Sequence, residues 1–253
     1  MIDFRLDGRT ALVTGASRGI GRGLALGLAA AGADLALSAR DEEHLQQVAK
    51  EVEALGRKAI VLPADVTDAD ACHQLVADAI SGLGHLDVLI NNAGGSSYMG
   101  PFTDLRFSGW EKTMRLNVDS LVHLCQAAGR HMVERGSGSI VNVASVAGLA
   151  ATPLLAAYGA SKAAVISLTK TLAHEWGPSG VRVNALCPGW TMTDLNRSLW
   201  DGPDAGAAFV GNQPLKRWAT VEEMVGPTVF LASDASSYVT GHCLVVDGGQ
   251  TSG

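Results

Sequence analysis

Short apolar runs alternate along this chain with longer stretches in which apolar residues recur every three or four positions. ALVTG (11–15) has the length and continuity of a buried strand, and GIGRGLALGLAAAG (19–32) has the spacing of a helix closed by a glycine. The same alternation continues through DLALSA (34–39), EEHLQQVAKEVEALG (42–56), KAIVLPAD (58–65), DADACHQLVADAISGLG (68–84) and LDVLINNAG (86–94). A long helical pattern covers roughly 108–135, SGSIVNVASV (137–146) is strand-like, and a second long helix is expected over roughly 153–177. VRVNALCPG (181–189), the helix TVEEMVGPTVFLAS (220–233) and the strand HCLVVDGG (242–249) complete the series. Strands apolar on both faces, each followed by a helix, predict a parallel sheet covered on both sides. The right-handed crossover rule then selects an α/β, Rossmann-type, doubly wound sheet of about seven strands. Residues 1–253 read as one domain. The turn-rich segment at about 190–215 interrupts the pattern and reads as an irregular connection.

Composition supports one large domain. The chain has 253 residues, 47% hydrophobic and 17% charged, enough for a sizeable core. A net charge of −6 argues against a nucleic-acid binder, which would carry a basic face. The four cysteines, Cys72, Cys125, Cys187 and Cys243, are far apart in apolar surroundings. They predict reduced core thiols, no disulfide framework and no metal site, His73 beside Cys72 included. The opening MIDFRLDGRT lacks a signal-peptide pattern and no run is long enough to span a bilayer, so a cytoplasmic protein with no membrane contact is expected.

Three stretches carry candidate chemistry. The first strand runs into TGASRGIG (14–21), where Gly15, Gly19 and Gly21 open a helix. Glycines permit a tight turn and close approach of a ligand, and the helix N-terminus presents free N–H groups to an anion. Taken alone the motif also fits a plain strand-to-helix turn; after the first strand of a βαβ unit it points to a dinucleotide pyrophosphate. The second strand ends in Ser38, Ala39 and Arg40, with Arg18 in the glycine loop. An acid here would suit the ribose hydroxyl of NAD, whereas two arginines suit a 2′-phosphate, so NADP(H) is favoured over NAD(H). The nearest acid, Asp41, opens the run DEEH and also reads as a helix N-terminus. In YGASK, Tyr158 and Lys162 stand one helical turn apart on one face. That pair fits an amphipathic helix with a packed phenol and a snorkelling ammonium, and it equally fits an acid tuned by a cation.

Together, TGASRGIG, Asp65-Val66, NNAG (91–94), Asn117, Ser145 with YGASK, PGWTMT (188–193) and the late VDGG resemble the short-chain dehydrogenase/reductase family over essentially the whole chain. The resemblance implies hydride transfer between a nicotinamide and a carbonyl or secondary alcohol. It implies a catalytic tetrad of Asn117, Ser145, Tyr158 and Lys162. Tyr158 would be the general acid or base, its phenol drawn down toward neutral pH by the nearby ammonium. Ser145 would hold the carbonyl oxygen as charge develops. Lys162 would also bind the nicotinamide ribose, and Asn117 would hold a water beside it. For the cofactor the resemblance assigns Gly15, Ser17, Arg18, Gly19, Ile20 and Gly21 of the loop, Arg40, and Asp65 and Val66 at the adenine. Asn91, Ala93 and Gly94 would lie along the adenosine, and Pro188, Gly189, Thr191 and Thr193 around the nicotinamide. Thr14 is read as a structural hydrogen-bonder.

The substrate is expected to meet Gly95, Ser96, Ser97 and Tyr98 after NNAG, and Val146, Leu154 and Leu155 after Ser145. The resemblance makes the segment at about 190–215 a substrate lid, from which the substrate would meet Met192, Leu195, Leu199, Trp200 and Phe209. Arg197 is the one lid cation and also reads as part of a solvated helix face. This largely apolar set suits a ketone, thioester or modest alcohol better than a dicarboxylate. Within the family, 3-oxoacyl reductases dock an acidic carrier protein on basic helix residues. Here Arg130 occupies one such position and His174 stands at the other, which leaves that reading, and a gluconate or polyol dehydrogenase, as alternatives. The two long helices and the VDGG end would pair copies of the chain into a homotetramer, with Trp218 and Tyr238 in that contact or in the core. A non-catalytic nucleotide sensor is a further alternative, disfavoured because the tetrad is complete.

Overall fold

The computed structural model describes residues 3–96, 98–201, 206–211 and 213–252. Seven parallel strands form one sheet in the order β3-β2-β1-β4-β5-β6-β7. They are β1 (Thr10–Thr14), β2 (Asp34–Ser38), β3 (Ala59–Val61), β4 (Val88–Asn91), β5 (Gly138–Val143), β6 (Val181–Pro188) and β7 (Cys243–Val246). The chain builds outward from β1 to β3, then returns to lay β4 on the other side of β1. The order therefore reverses between β1 and β4, and the carboxyl ends of these strands open a crevice at that point.

Side chains alternate across the sheet, and both faces are covered. Val13, Leu35, Leu37 and Ile90 pack under α1 (Gly19–Ala30), α2 (Glu42–Ala54) and α9 (Glu222–Ala232). Leu12, Ala36, Leu89 and Ile140 pack on the opposite face under α3 (Ala69–Leu83), α5 (Ser120–Arg135) and α6 (Ala156–Trp176). This two-sided burial is why the strands read as unbroken apolar runs. Helix ends follow local chemistry. Asp41 and Asp68 cap α2 and α3 by accepting from the backbone N–H groups of His44 and Ala71, and Gly84 ends α3 at φ 88°.

One long helix departs from the expected pattern. The stretch predicted as continuous over 108–135 is α4 (Phe107–Met114), then a π turn over Arg115–Asp119, then α5. Such one-residue expansions interrupt the regular ladder without ending the helix, and they recur at functional sites. After β6 the chain forms two short helices, α7 (Arg197–Trp200) and α8 (Ala207–Val210). Residues 202–205 of the expected lid, and Ser97 of the expected substrate wall, lie outside the described residues. Trp218 is buried and its ring packs 5.1 Å from Trp190 and 5.8 Å from Phe209, so it belongs to the core. Tyr238 is fully exposed in the single chain.

The cysteines are free, and burial pushes the thiols of Cys125 and Cys187 up to about 12 and that of Cys72 to about 11. Cys72, Cys125 and Cys187 are therefore packing groups held as thiols at neutral pH. No helix among the described residues is long and apolar enough to cross a membrane.

Candidate active site

The glycine loop at the end of β1 is shaped by steric need and by one asparagine. Gly15 and Gly19 adopt φ of 65° and 55°, in the left-handed region that favours glycine. At Gly21 a Cβ would lie 2.1 Å from the Gly15 carbonyl oxygen and 2.4 Å from Asn92 Nδ2. Asn92 Nδ2 donates to the Thr14 carbonyl at 2.9 Å and to that of Gly15 at 3.2 Å. Thr14 Oγ1 accepts from the N–H groups of Asn92 and Ala93, each at 3.1 Å, which bears out its structural reading. The loop is thus sewn to the end of β4 across the switch point. Ser17 is half-buried and Arg18 exposed at the helix opening, with Ile20 half-buried behind them. Thr193 closes the far side, its Cγ2 3.5 Å from where a Gly19 Cβ would stand.

At the β2 end, Arg40 is exposed, and among the described residues neither Arg18 nor Arg40 forms an ion pair. Asp41 is occupied, accepting from the His44 backbone at 3.2 Å and meeting its ring at 2.7 Å. The Asp65 carboxyl is held below its ordinary range by hydrogen bonds from the Thr67 backbone and hydroxyl, with the Arg40 charge adding to the effect. Val66 is mostly taken into the core beside Cys72, leaving little of its side chain free for a ligand. The Asn91 side chain points away from the crevice, donating to Asn142 Oδ1 at 2.9 Å and Cys125 Sγ at 3.2 Å. Any contact of Asn91 with adenosine is left to its backbone.

The four tetrad positions converge. Ser145 lies two residues past β5 and its Oγ accepts from the Ala147 N–H at 3.1 Å, which turns the chain and aims the hydroxyl across the strand ends. It lies beside the Tyr158 phenol, close enough to favour its ionised form. Lys162 Nζ is buried and donates to the Val143 carbonyl at 2.8 Å. Asn117 sits in the π turn, where its amide pairs with both backbone groups of Gly95: Oδ1 accepts at 2.9 Å and Nδ2 donates at 3.0 Å. Gly94 lies between these groups, since a Cβ there would be 2.9 Å from Asn117 Oδ1 and 3.3 Å from Lys162 Nζ.

The electrostatics differ from the sequence expectation. Burial raises the Tyr158 phenol above its ordinary value, and the neighbouring Ser145 hydroxyl opposes that rise. The Lys162 ammonium stands 5.6 Å from the centre of the phenol ring, within the range of about 6 Å for a cation over a ring face. Among the described residues no hydrogen bond joins it to the phenol hydroxyl; one of its three N–H donors is spent on the Val143 carbonyl. Burial instead lowers the lysine itself to about 8. The protein's own groups thus leave Tyr158 a protonated acid at neutral pH.

At the end of β6, Pro188 pairs with Val246, and beyond it Gly189 lies against Asp247, whose Cα a Cβ would meet at 2.8 Å. Thr191 is buried and bonded to the Gly189 carbonyl. Asn196 was not singled out by sequence, yet its Oδ1 accepts from Thr193 N at 2.9 Å, Thr193 Oγ1 at 3.0 Å and Trp200 Nε1 at 2.9 Å. Its Nδ2 donates to the Thr191 carbonyl at 2.9 Å. Arg197 is exposed, bonds Asp194 at 2.6 Å and lies over the Trp200 ring, which fits the reading of a solvated helix face. Leu195 reaches to 3.9 Å from a Gly95 Cβ position, while Gly100 N donates to the Leu154 carbonyl, tying the two expected substrate walls together. Leu154 itself has φ 70°, unusual for a residue with a side chain. An open cleft of about 790 Å³ is lined by Met192, Trp200, Val210 and Trp218, with the Arg217–Glu223 pair at its edge.

A doubly wound sheet with this glycine loop and this Ser–Tyr–Lys grouping defines a nicotinamide-dependent oxidoreductase. A family model described as enoyl-(acyl carrier protein) reductase matches residues 15–251. The gluconate 5-dehydrogenase of Gluconobacter oxydans (strain 621H) is 44% identical, covering 98% of this chain and 96% of its own. The D-threitol dehydrogenase of Mycolicibacterium smegmatis is 40% identical over 98% of this chain and 95% of its own. A solved gluconate 5-dehydrogenase from Burkholderia cenocepacia J2315, in complex with NADP and tartrate, superposes with a TM-score of 0.94. It is 39% identical and covers 100% of this chain and 98% of its own. The chain belongs to the short-chain dehydrogenase/reductase family. It is an oxidoreductase that acts on CH–OH groups, exchanging hydride between a nicotinamide and a carbonyl or secondary alcohol.

Proposed function

We propose that the enzyme is an NADP(H)-dependent dehydrogenase whose substrate is a secondary alcohol, or the matching ketone, on a polyhydroxylated chain such as a sugar acid or polyol. The observation that carries the reaction is the convergence of Ser145, Tyr158 and Lys162 at the carboxyl ends of β4 and β5. The nicotinamide supplies or accepts the hydride. In reduction Tyr158 gives its phenolic proton to the carbonyl oxygen, and in oxidation it takes the proton back. Ser145 holds that oxygen through its hydroxyl as negative charge develops. Lys162 binds the ribose and, cationic below about 8, stabilises the phenolate that remains.

The preference for NADP(H) rests on Arg18 and Arg40, both exposed and unpaired among the described residues, and on Asp41 being engaged as the α2 cap. The loop from Gly15 to Gly21 takes the pyrophosphate, and Thr191 and Thr193 take the nicotinamide end. The substrate class follows the relatives, which act on gluconate and threitol by name. The segment from 190 to 215 acts as the lid, and the outer faces of α5 and α6 pair copies of the chain into a tetramer. A carrier-protein reductase is the second reading, supported by the matching family description and by Arg130, which is exposed on α5 with His174 exposed on α6.

The test is NADPH and NADH oxidation with keto-sugar acids, ketoses, simple ketones and acetoacetyl thioesters. Preference for keto acids or ketoses with NADPH is expected. A thioester preferred by tenfold or more in kcat/KM would replace the polyol reading with the carrier-protein one.

A further inference from the structure

Ser161 lies between Tyr158 and Lys162 in the motif and has no part in the roles described above. It is fully buried. Its Oγ donates to the Tyr158 carbonyl at 2.7 Å, the back-bond to the preceding turn that a helical serine can make. That bond uses its only proton and fixes the rotamer, leaving a lone pair facing the π turn. Asn117 Nδ2 donates to this lone pair at 2.8 Å.

The bond completes the Asn117 amide. Oδ1 and one N–H are spent on Gly95, and Ser161 takes the second N–H. Asn117 is only 2% exposed, so water is poorly placed to substitute. A continuous chain therefore runs from the Gly95 backbone through Asn117 and Ser161 to the helical turn that carries Tyr158. It spans residues 44 positions apart in sequence and joins the π turn to α6. Gly94 and Lys162 sit at its side, with Lys162 Nζ 3.3 Å from a Gly94 Cβ position.

We infer that Ser161 is a positioning residue for the reaction: it fixes the Asn117 amide, and through it the Gly94–Gly95 wall, relative to Lys162 and Tyr158. The hydroxyl touches neither substrate nor cofactor. It sets the spacing of groups that do, and misplacement by a fraction of an ångström suffices to slow a proton transfer.

The inference rests on Tyr158 and Lys162 being the reacting pair, so Tyr158→Phe is run alongside; full turnover in that variant would overturn the pair and not Ser161 specifically. In Ser161→Ala, kcat is expected to fall about tenfold to a hundredfold, with KM for the carbonyl and Kd for NADPH within about threefold of the parent. Ser161→Thr keeps the hydroxyl and can make the same back-bond. It is expected to recover most of kcat even where its extra methyl lowers the melting temperature. Adding Ser161→Ala to Asn117→Ala is expected to cost nothing further, because the serine acts through the asparagine. Parent-like kcat in Ser161→Ala would overturn the proposal. So would equal kcat losses in the Ala and Thr variants that track their melting temperatures, or additive losses in the double variant.

Discussion

Lys162 Nζ stands 5.6 Å from the centre of the Tyr158 ring and spends a hydrogen bond of 2.8 Å on the Val143 carbonyl. The lysine is anchored to the end of β5 before any ligand meets it. The cost falls on the lysine, which burial lowers from its ordinary 10.5 to about 8. Between these two values the unfolded chain holds a proton that the folded chain has released. Stability therefore rises with pH from about 8 to about 10.5 on account of this group, and below 8 its burial penalty is present in full. Lys162→Met is expected to stabilise the protein at pH 7 by up to roughly 3 kcal/mol, less the lost Val143 bond, and to abolish turnover. Denaturant unfolding at pH 7 and pH 10 checks this: the gain must shrink toward the higher pH.

Tyr158→Phe removes the phenolic oxygen and leaves the ring. A loss of about 10²- to 10⁴-fold in kcat is expected. NADPH affinity is expected to stay within about threefold, because uniform binding is untouched. Fluorescence titration of NADPH beside steady-state kinetics separates the two effects. Unchanged kcat would falsify the acid–base assignment.

Arg40→Asp places a carboxylate at the end of β2, where Asp65 already stands near Arg40. Removing a charge-assisted contact to a 2′-phosphate costs roughly 1.5–3 kcal/mol, or about tenfold to a hundredfold in Kd. NADPH binding is expected to weaken by that factor and NADH binding to change little. Equal losses for both cofactors would show that Arg40 does not read the phosphate.

Asn92→Ala strips the donor from the Thr14 and Gly15 carbonyls and is expected to cost about 1–3 kcal/mol of stability, with weaker NADPH binding. Asn92→Asp is expected to be worse, since a carboxylate would face two carbonyl oxygens. Gly21→Ala drives a Cβ into the Gly15 backbone and is expected to abolish cofactor binding. Thermal melts with and without NADPH rank the three variants.

Asn196→Ala removes the amide shared by Thr193 and Trp200 and leaves them only the 3.2 Å bond from Trp200 Nε1 to the Thr193 carbonyl. A fall of about tenfold in kcat/KM is expected from loss of the lid's footing. Trp200 fluorescence reports the same event, and an unchanged emission together with unchanged kinetics would remove Asn196 from the lid's support.

Much of this was legible in sequence because it is written in local spacing. Two-sided apolar strands, helical periodicity and glycine stops fixed the element order, and a parallel doubly wound sheet places its ligand crevice where TGASRGIG falls. The caps at Asp41 and Asp68 are equally local, each reaching three residues along the chain. Other features required the fold. The π turn adds one residue to a helical ladder, too small a change for a periodicity of 3.6 to register, yet it turns Asn117 to Gly95 and Ser161. Asn92 meets the first strand across 78 positions, and nothing near it in sequence signals that partner. The tuning of the active pair was decided last. Helical spacing brought Tyr158 and Lys162 onto one face, but which polar atom the ammonium reaches, and how much water burial removes from each group, depends on strands and turns that only tertiary packing brings together.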